Sequence, residues 1–437
     1  MKLEDKIKNK TGVLAVAGLG YVGLPTAITF AKAGYRVIGI DIDENKIKSL
    51  SAGHSYVLDV PHEDIISLVN SGRFCPTSDY STVAHADAVA ICVPTPLRKS
   101  KDPDVSYIIS AVDTIVRFAH KDMLIVLEST TYPGTTEELI KPRLESISYQ
   151  VGKDIYLCFS PERIDPGSKE YNLQNTPKVI GGITPECTRL GALLYSTIVQ
   201  KVVSVSSTKS AELVKLLENS FRSVNIALVN EMALMCERMG VDVWEILDAA
   251  STKPYGFMKF SPGPGIGGHC IPLDPMYLAW KAKVYDFYTR FIELASDTNG
   301  NMPYHVVRLI GDALNTHYKP IKGSKILCMG VAYKRDVNDT RESPSLEIMR
   351  LLQSKGADIH YNDPYVPLLN DIGVELKSVP ITPENLRGFD CVVLCTDHTS
   401  YDYEFIARTA VLIVDTRNAF KGIKGNIIRL GVGKDAT

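Results

Sequence analysis

Short apolar runs recur along the first half of the chain, each followed by a glycine-rich or polar turn and then by a stretch with helical spacing. From residue 13, VLAVAG reads as a buried strand and GLGYVG as a turn; an amphipathic helix then runs to Ala33, and YRVIGID forms a second strand. Further strands are expected at ADAVAICV (86–93), MLIVLES (123–129), IYLCFS (155–160), KVIGG (178–182) and QKVVSVS (200–206). Helices are expected over 107–119, from about 136, and over 184–197, with Thr135 and Glu138 at capping-box spacing. Strands with no polar face, alternating with helices, predict a parallel, doubly wound α/β sheet, because crossover helices cover both faces.

The period changes at 207–240, where Leu213, Leu216, Leu217, Phe221, Val224, Ile226, Leu228, Val229, Met232 and Met235 give one long helix with apolar residues on more than one face. Such a helix would span about 50 Å. A small domain does not need that length, so its second apolar face predicts burial against the same helix of a second subunit, a homodimer. A second helix is expected over 286–315, and HYKPIKGSK (317–325) reads as a linker. Alternation then resumes with strand KILCMGVA, helix SPSLEIMRLLQSKG with Ser343 and Pro344 at its start, and strands ADIHYND, FDCVVLCTD and AVLIVDT. The fold expected is two Rossmann-like doubly wound domains, 1–206 and 317–437, joined by a central helical domain, 207–316. The last dozen residues carry no readable pattern.

Composition adds limits. A chain of 437 residues exceeds one core, and 45% apolar with 22% charged residues is ordinary for a soluble globular protein. A formal net charge of -2 argues against a general nucleic-acid or membrane-surface binder, so an anionic ligand must meet local positive groups. Nine cysteines show no CxxC pair, and the polar opening MKLEDKIKNK is no secretory leader. Free thiols in a reducing cytoplasm follow, and no apolar run suffices for a membrane helix. A metal is not expected, since no HxH, HExxH or CxxC spacing occurs among scattered histidines.

Gly18, Gly20 and Gly23 fit G-x-G-x-x-G between a strand and a helix, with Asp41 closing the second strand 18 residues later. Gly18 would allow the tight turn, Gly20 the approach of a pyrophosphate to backbone N–H groups, and Gly23 close packing. Asp41 would accept from ribose hydroxyls, which favours NAD over NADP because a 2′-phosphate would meet a carboxylate. The loops VPTP (93–96) and ESTT (128–131) lie at strand ends, on the cofactor side.

Between 256 and 280 stand five glycines (Gly256, Gly263, Gly265, Gly267, Gly268) and four prolines (Pro262, Pro264, Pro272, Pro275) around Cys270. Glycine lets backbone approach a ligand and proline stiffens the loop, so the thiol is held in place. Asp274 and Pro275 suit the cap and first position of a following helix. A buried structural cysteine is the alternative. Lys215 and Asn219, four apart, share a helix face and could converge on one oxyanion; a solvated face is the alternative.

GGHCIPLDP, with FSPERIDPG (159–167) and DTRES (339–343), resembles the nucleotide-sugar 6-dehydrogenases of the UDP-glucose/GDP-mannose dehydrogenase family, especially their UDP-N-acetylhexosamine branch. The resemblance runs from about residue 12 to about 420. It implies a four-electron, NAD-dependent oxidation of a UDP-sugar C6 alcohol to a uronic acid for polysaccharide or glycan synthesis. Cys270 would be the nucleophile that carries a thiohemiacetal and then a thioester. Lys215 and Asn219 would stabilise the oxyanions, Asp274 and Thr130 would hold a water, and Glu162 would serve thioester hydrolysis. The implied NAD contacts are Gly18, Gly20, Tyr21, Val22, Gly23, Asp41, Lys46, Pro94, Thr95, Thr130 and Arg341. The implied substrate contacts are Glu162, Arg163, Lys215, Asn219, Gly267, Gly268, Lys334 in GVAYKRD and Arg417 in VDTRN, whose basic groups suit a diphosphate. UDP-glucose dehydrogenases carry apolar residues after the glutamate and a second glutamate four positions on; here stand Arg163, Asp165 and Pro166, which puts glucose in doubt. The expected substrate is UDP-N-acetylglucosamine, followed by UDP-N-acetylmannosamine and UDP-glucose. An NAD-binding regulator without turnover and a two-electron dehydrogenase of small hydroxy acids stay open as other readings.

Overall fold

The computed structural model describes residues 1–57, 59–98, 102–164, 170–371, 373 and 375–433; Asp165 and Pro166 lie outside them. The chain forms two compact units, 1–218 with 276–287, and 219–275 with 288–437.

The first unit is built on β1 (Val13–Ala17), β2 (Arg36–Ile40), β3 (Phe74–Thr77), β4 (Ala88–Ile91), β5 (Leu124–Leu127), β6 (Tyr156–Phe159), β7 (Lys178–Gly182) and β8 (Val202–Val205). They form one sheet in the order β3-β2-β1-β4-β5-β6-β7-β8. The register pairs Leu14 with both Val37 and Ala88, so β1 is flanked by strands that leave in opposite directions. That divergence makes the topological switch point where open α/β sheets take their ligands. Apolar burial on both faces explains the strand composition: Val37, Ile40, Leu124 and Leu127 are all fully buried. Each such side chain contributes about 1.5–3 kcal/mol over an exposed one.

Three features depart from the sequence expectation. β6 and β7 run antiparallel, pairing Cys158 with Gly182, because the described part of their connection holds no crossover helix. The capping box at Thr135 does not form: the Thr135 hydroxyl donates to Tyr132 O, and Glu138 pairs with Lys281 at 2.7 Å. A wide-turned segment Thr136–Ile140 precedes the α-helix Lys141–Ser146. The polar N-terminus also forms a short helix, Leu3–Lys8, that buries Leu3 and Ile7 and receives the Tyr35 hydroxyl on Ile7 O.

The second unit holds β9 (Lys325–Met329), β10 (Asp358–Asn362), the hairpin β11 (Leu368–Leu369) and β12 (Leu376–Lys377), β13 (Cys391–Leu394), β14 (Ile413–Asp415) and β15 (Ile427–Arg429). Its main sheet is parallel throughout, in the order β10-β9-β13-β14-β15. Along β9, Ile326 and Cys328 face one core with Val306 and Ile310 of helix Arg290–Thr316, while Leu327 and Met329 face the other with Ile406 and Phe420. This period of two is what a sheet covered on both faces requires.

The long helix Thr208–Met239 gives its first turns to the first unit and the rest to the second. Its length is about 48 Å. Leu216, Val229, Ala233 and Cys236 are buried, whereas Leu213, Leu217, Phe221, Leu228, Met235 and Met239 are exposed. No helix among the described residues is long and apolar enough to cross a membrane.

Candidate active site

In the first unit the turn after β1 is shaped by contacts that only glycine permits. Gly18 has φ +92°, and a Cβ there would lie 2.6 Å from Cys92 O in the loop after β4. A Cβ on Gly23 would stand 1.8 Å from Gly18 O, whereas one on Gly20 would meet nothing within 4 Å. The first and last glycines therefore hold the turn against its neighbours, and the middle one borders open space. Tyr21 is exposed, and Val22 leads into helix Gly23–Lys32.

Asp41 is buried at the end of β2, where Oδ2 accepts from Leu19 N at 2.8 Å and from Lys46 Nζ at 3.0 Å. Its other oxygen accepts from Asp43 N, which leaves lone pairs for a ribose hydroxyl. Beside the switch point, Thr95 O and Pro96 O accept from the Tyr277 hydroxyl, and the Ser129 hydroxyl donates to Val93 O. Pro94, Thr95 and half-buried Thr130 thus stand on loops pinned at the carboxyl ends of β4 and β5. These residues fit a dinucleotide: a cradle left open at Gly20 and an acceptor at the end of β2.

A buried ionic cluster lies beyond β5. Lys178 Nζ is 2.6 Å from Glu128 Oε2 and 3.2 Å from Glu162 Oε2, and the Tyr195 hydroxyl donates to the other oxygen of Glu128. Burial alone would raise the Glu162 carboxyl, but the Lys178 ammonium, the Ile164 N–H and Lys215 outweigh it and hold the group below its ordinary value. Arg163, expected on substrate, pairs with Glu218 at 2.6 Å and donates to Pro177 O. One turn before Lys215, fully buried Glu212 accepts from Gly134 N at 2.5 Å, Thr136 N at 2.9 Å and the Thr136 hydroxyl at 2.7 Å.

In the second unit the glycine-proline loop is pinned at both ends. Asn230 of the long helix accepts from Gly263 N at 2.9 Å and donates to Asn299, which donates in turn to Ser223 O. Gly268 N donates to Arg341 O at 3.0 Å. Side chains at Gly267 and Gly268 would enter Tyr333, at 2.7 and 2.8 Å, so the loop packs directly on the GVAYKRD segment. Cys270 is exposed and in no disulfide, and its carbonyl accepts from Asp274 N at 2.9 Å. The Asn219 amide donates to Asp274 Oδ2 at 2.5 Å. Burial, then the Arg341 guanidinium, holds His269 below its ordinary value, so the imidazole beside the thiol is neutral at pH 7.

The segment bearing half-buried Lys334 is anchored from below. Asp363 Oδ2 accepts from Val331 N, Ala332 N and His398 Nε2, and His398 Nδ1 accepts from Asp336 N. Arg417 donates to Cys395 O at 2.8 Å, and its guanidinium stands where a Cβ on Gly263 would be 2.7 Å away. Arg341 forks onto Asp339 and belongs to this unit, unlike the other expected cofactor residues.

The structure thus gathers Gly18, Gly20, Gly23, Asp41 and Lys46 in one place, Glu162 with Lys215 in a second, and Asn219 with Asp274 in a third. Gly267 and Gly268 lie in the cysteine loop, and Arg417 and Arg341 border it. Sequence reading passed over Lys178, Glu128, Glu212, Asn230, Asn299, Asp363 and His398. Of these only Glu128 carried a signal, as the first residue of the quoted loop ESTT.

A turn that leaves open space at Gly20 under a strand switch, with a carboxylate on the neighbouring strand, is the arrangement of a dinucleotide-binding domain of the Rossmann class. Residues 13–199 match the NAD binding domain of the UDP-glucose/GDP-mannose dehydrogenase family, 209–301 its central domain and 327–422 its UDP binding domain. The chain belongs to that family; its cofactor is NAD and it is a UDP-sugar dehydrogenase. A UDP-N-acetyl-D-mannosamine dehydrogenase of Pyrococcus horikoshii is 35% identical over 429 residues, 96% of this chain and 99% of that one. An Escherichia coli protein of the same name is 33% identical over 401 residues, 89% of this chain and 94% of its own. The solved structure of the Pyrococcus horikoshii enzyme superposes with a TM-score of 0.88 at 33% identity, covering 96% of this chain and 99% of the other.

Proposed function

We propose that the protein oxidises the C6 alcohol of a UDP-N-acetylhexosamine to the carboxylate, in two successive two-electron steps through a covalent adduct on Cys270. The observation that carries this reading is Cys270 itself: an exposed thiol on a loop pinned by Asn230, Arg341 and Tyr333 within the UDP-binding unit. Gly18, Gly20, Gly23 and Asp41 would hold NAD, which would supply the acceptor for one hydride in each oxidation. Asp274 takes the alcohol proton by way of a water in the first oxidation. The Cys270 sulfur then adds to the aldehyde carbon, restoring a tetrahedral centre from which a second hydride can leave. One amide N–H of Asn219 is spent on Asp274, and the other, with the Lys215 ammonium, is available to the alkoxide and thiohemiacetal oxygens. Glu162 then activates water against the thioester. Lys334 and Arg417 take the diphosphate, with Gly267 and Gly268 giving the sugar a close approach to backbone.

Two epimers have support. The names of the relatives favour UDP-N-acetyl-D-mannosamine, and the motif resemblance favours UDP-N-acetyl-D-glucosamine. Incubation with NAD and each of these sugars, beside UDP-glucose, should yield about two NADH per sugar for one acetylated epimer, the stoichiometry of a thioester route. One NADH per sugar would exclude the route through Cys270, and none with any sugar would favour the binding protein. We place the enzyme in the cytoplasm, where nine cysteines held in no disulfide stay reduced. Its working divisions are taken as 1–206 for NAD, 207–316 for the dimer and 317–437 for the UDP-sugar.

A further inference from the structure

Lys178 is a buried charged group that the chemistry above leaves unused. It opens β7 and is 4% exposed, although a lysine at a sheet end is ordinarily solvated. A lysine so placed is tolerated only when paired, and here it is paired twice. Glu162 Oε1 accepts from Arg163 N at 2.8 Å and Ile164 N at 2.7 Å, while Oε2 faces the ammonium. One oxygen is therefore saturated by backbone, and the other keeps a single lone pair.

The charges around Glu162 balance. Glu128 at the end of β5 and Glu162 after β6 stand against Lys178 of β7 and Lys215 of the long helix. Cys92 after β4 and Tyr195 of helix Pro185–Tyr195 complete the surroundings, both pushed up by burial and hence neutral. Arg163, next in sequence, is engaged with Glu218.

We propose that Lys178 is a positioning residue for Glu162: its buried ammonium neutralises Glu128 from the far side, keeps Glu162 a carboxylate and leaves one lone pair of Oε2 for a water. The proposal rests on the reading of Glu162 as the base of thioester hydrolysis. In that step the water gives a proton to Glu162 as its oxygen adds to the acyl carbon. The C–S bond then breaks, the sulfur leaves with the electron pair, and Glu162 returns the proton to it or to solvent. Without Lys178, two carboxylates would face each other in a dry pocket and hold one proton between them.

The test compares wild type, Lys178→Met, Lys178→Arg and Glu128→Gln/Lys178→Met, using whichever UDP-sugar gives the most NADH. Lys178→Met should keep the sugar KM within about threefold and lose about 10- to 100-fold in kcat at pH 7, with acyl-enzyme accumulating in single turnovers. Its acidic limb should move up by about one pH unit or more. Removing the second carboxylate in the double variant should bring the limb back toward wild type, and Lys178→Arg should leave it in place. An unmoved limb in Lys178→Met, a double variant no better than the single, or a displaced limb in Lys178→Arg overturns the proposal. Glu162→Gln separates the two readings: acid release at the wild-type rate in that variant removes Glu162 from catalysis. The effect on its charge is read apart from turnover, in urea midpoints against pH. A folded value held low gives stability that is lost only as pH falls through that value, so the loss should begin about one pH unit higher in Lys178→Met. Coincident curves overturn the charge-setting role whatever Glu162 does.

Discussion

At the scale of single residues, the sulfur of Cys270 and the amides that hold its loop divide chemistry from support. Cys270→Ser exchanges a good nucleophile and leaving group for a poor one. The variant should fall at least about 10³-fold in uronate formation and stall with a trapped sugar adduct, visible by mass spectrometry of the intact protein. Undiminished uronate production by this variant would remove the covalent route altogether. Asn230 has no chemical role here: it joins Gly263 N to Asn299 across a buried gap. Asn230→Leu should leave those partners unsatisfied and cost about 2–4 kcal/mol in urea unfolding, with a kcat loss that follows the loosened loop. The two roles were not equally visible from sequence. Cys270 stood out because glycines and prolines crowd around it, whereas Asn230 is an ordinary polar position inside a helical stretch whose partners lie 33 and 69 residues away.

Among the elements, the long helix does two jobs that its amphipathic pattern does not separate. Near its start it presents Lys215 and, one turn earlier, the carboxylate of Glu212, which caps the loop at Gly134 and Thr136 in place of the expected Thr135–Glu138 box. Burial pushes the Glu212 carboxyl up to about 7, against the three donors that favour its charge. A folded value above the unfolded 4.5 means that the folded state holds this proton more tightly. Its contribution is complete below pH 4.5 and is lost as pH rises through about 7. Stability of the first unit should therefore drop by about 3 kcal/mol across that window, and Glu212→Gln should flatten this part of the curve. Differential scanning calorimetry in steps of pH checks both; a Glu212→Gln profile with the wild-type slope would assign that slope to other groups. The antiparallel β7 belongs to the same scale. It brings Lys178 in beside Glu128 and Glu162, a placement that no strand propensity contains.

For the molecule as a whole, the apolar residues left exposed along the long helix are the unfinished surface. Leu217 at 66%, Leu228 at 56% and Met239 at 67% exposure are more than a solvated helix needs to show, and a second copy of the same helix would cover them. Sedimentation velocity should find a dimer, and Leu217→Glu with Leu228→Glu should give monomers with a lower, concentration-independent Tm. A wild-type monomer at micromolar concentration would refute the dimer.

Much of the architecture was legible in advance, because strands covered on both faces must be apolar throughout and helices between them must be amphipathic. That physical necessity writes both doubly wound sheets, the long helix and the glycine turn into local order of residues. Cys270, Lys215, Asn219 and Asp41 stood out as candidates for a related reason, since each sits in a short motif or at a spacing that suggests a geometry; the fold sets Lys215 by Glu162 and Asn219 against Asp274. What only the tertiary structure decided were the pairings between distant positions: Lys178 with two carboxylates, Glu212 with the loop it caps, Asn230 with the glycine loop, and Asp363 with His398 beneath Lys334. A buried charge or amide is stable only with a partner, and the partner is supplied by whichever strand or helix the chain folds against it, which no local window of residues contains.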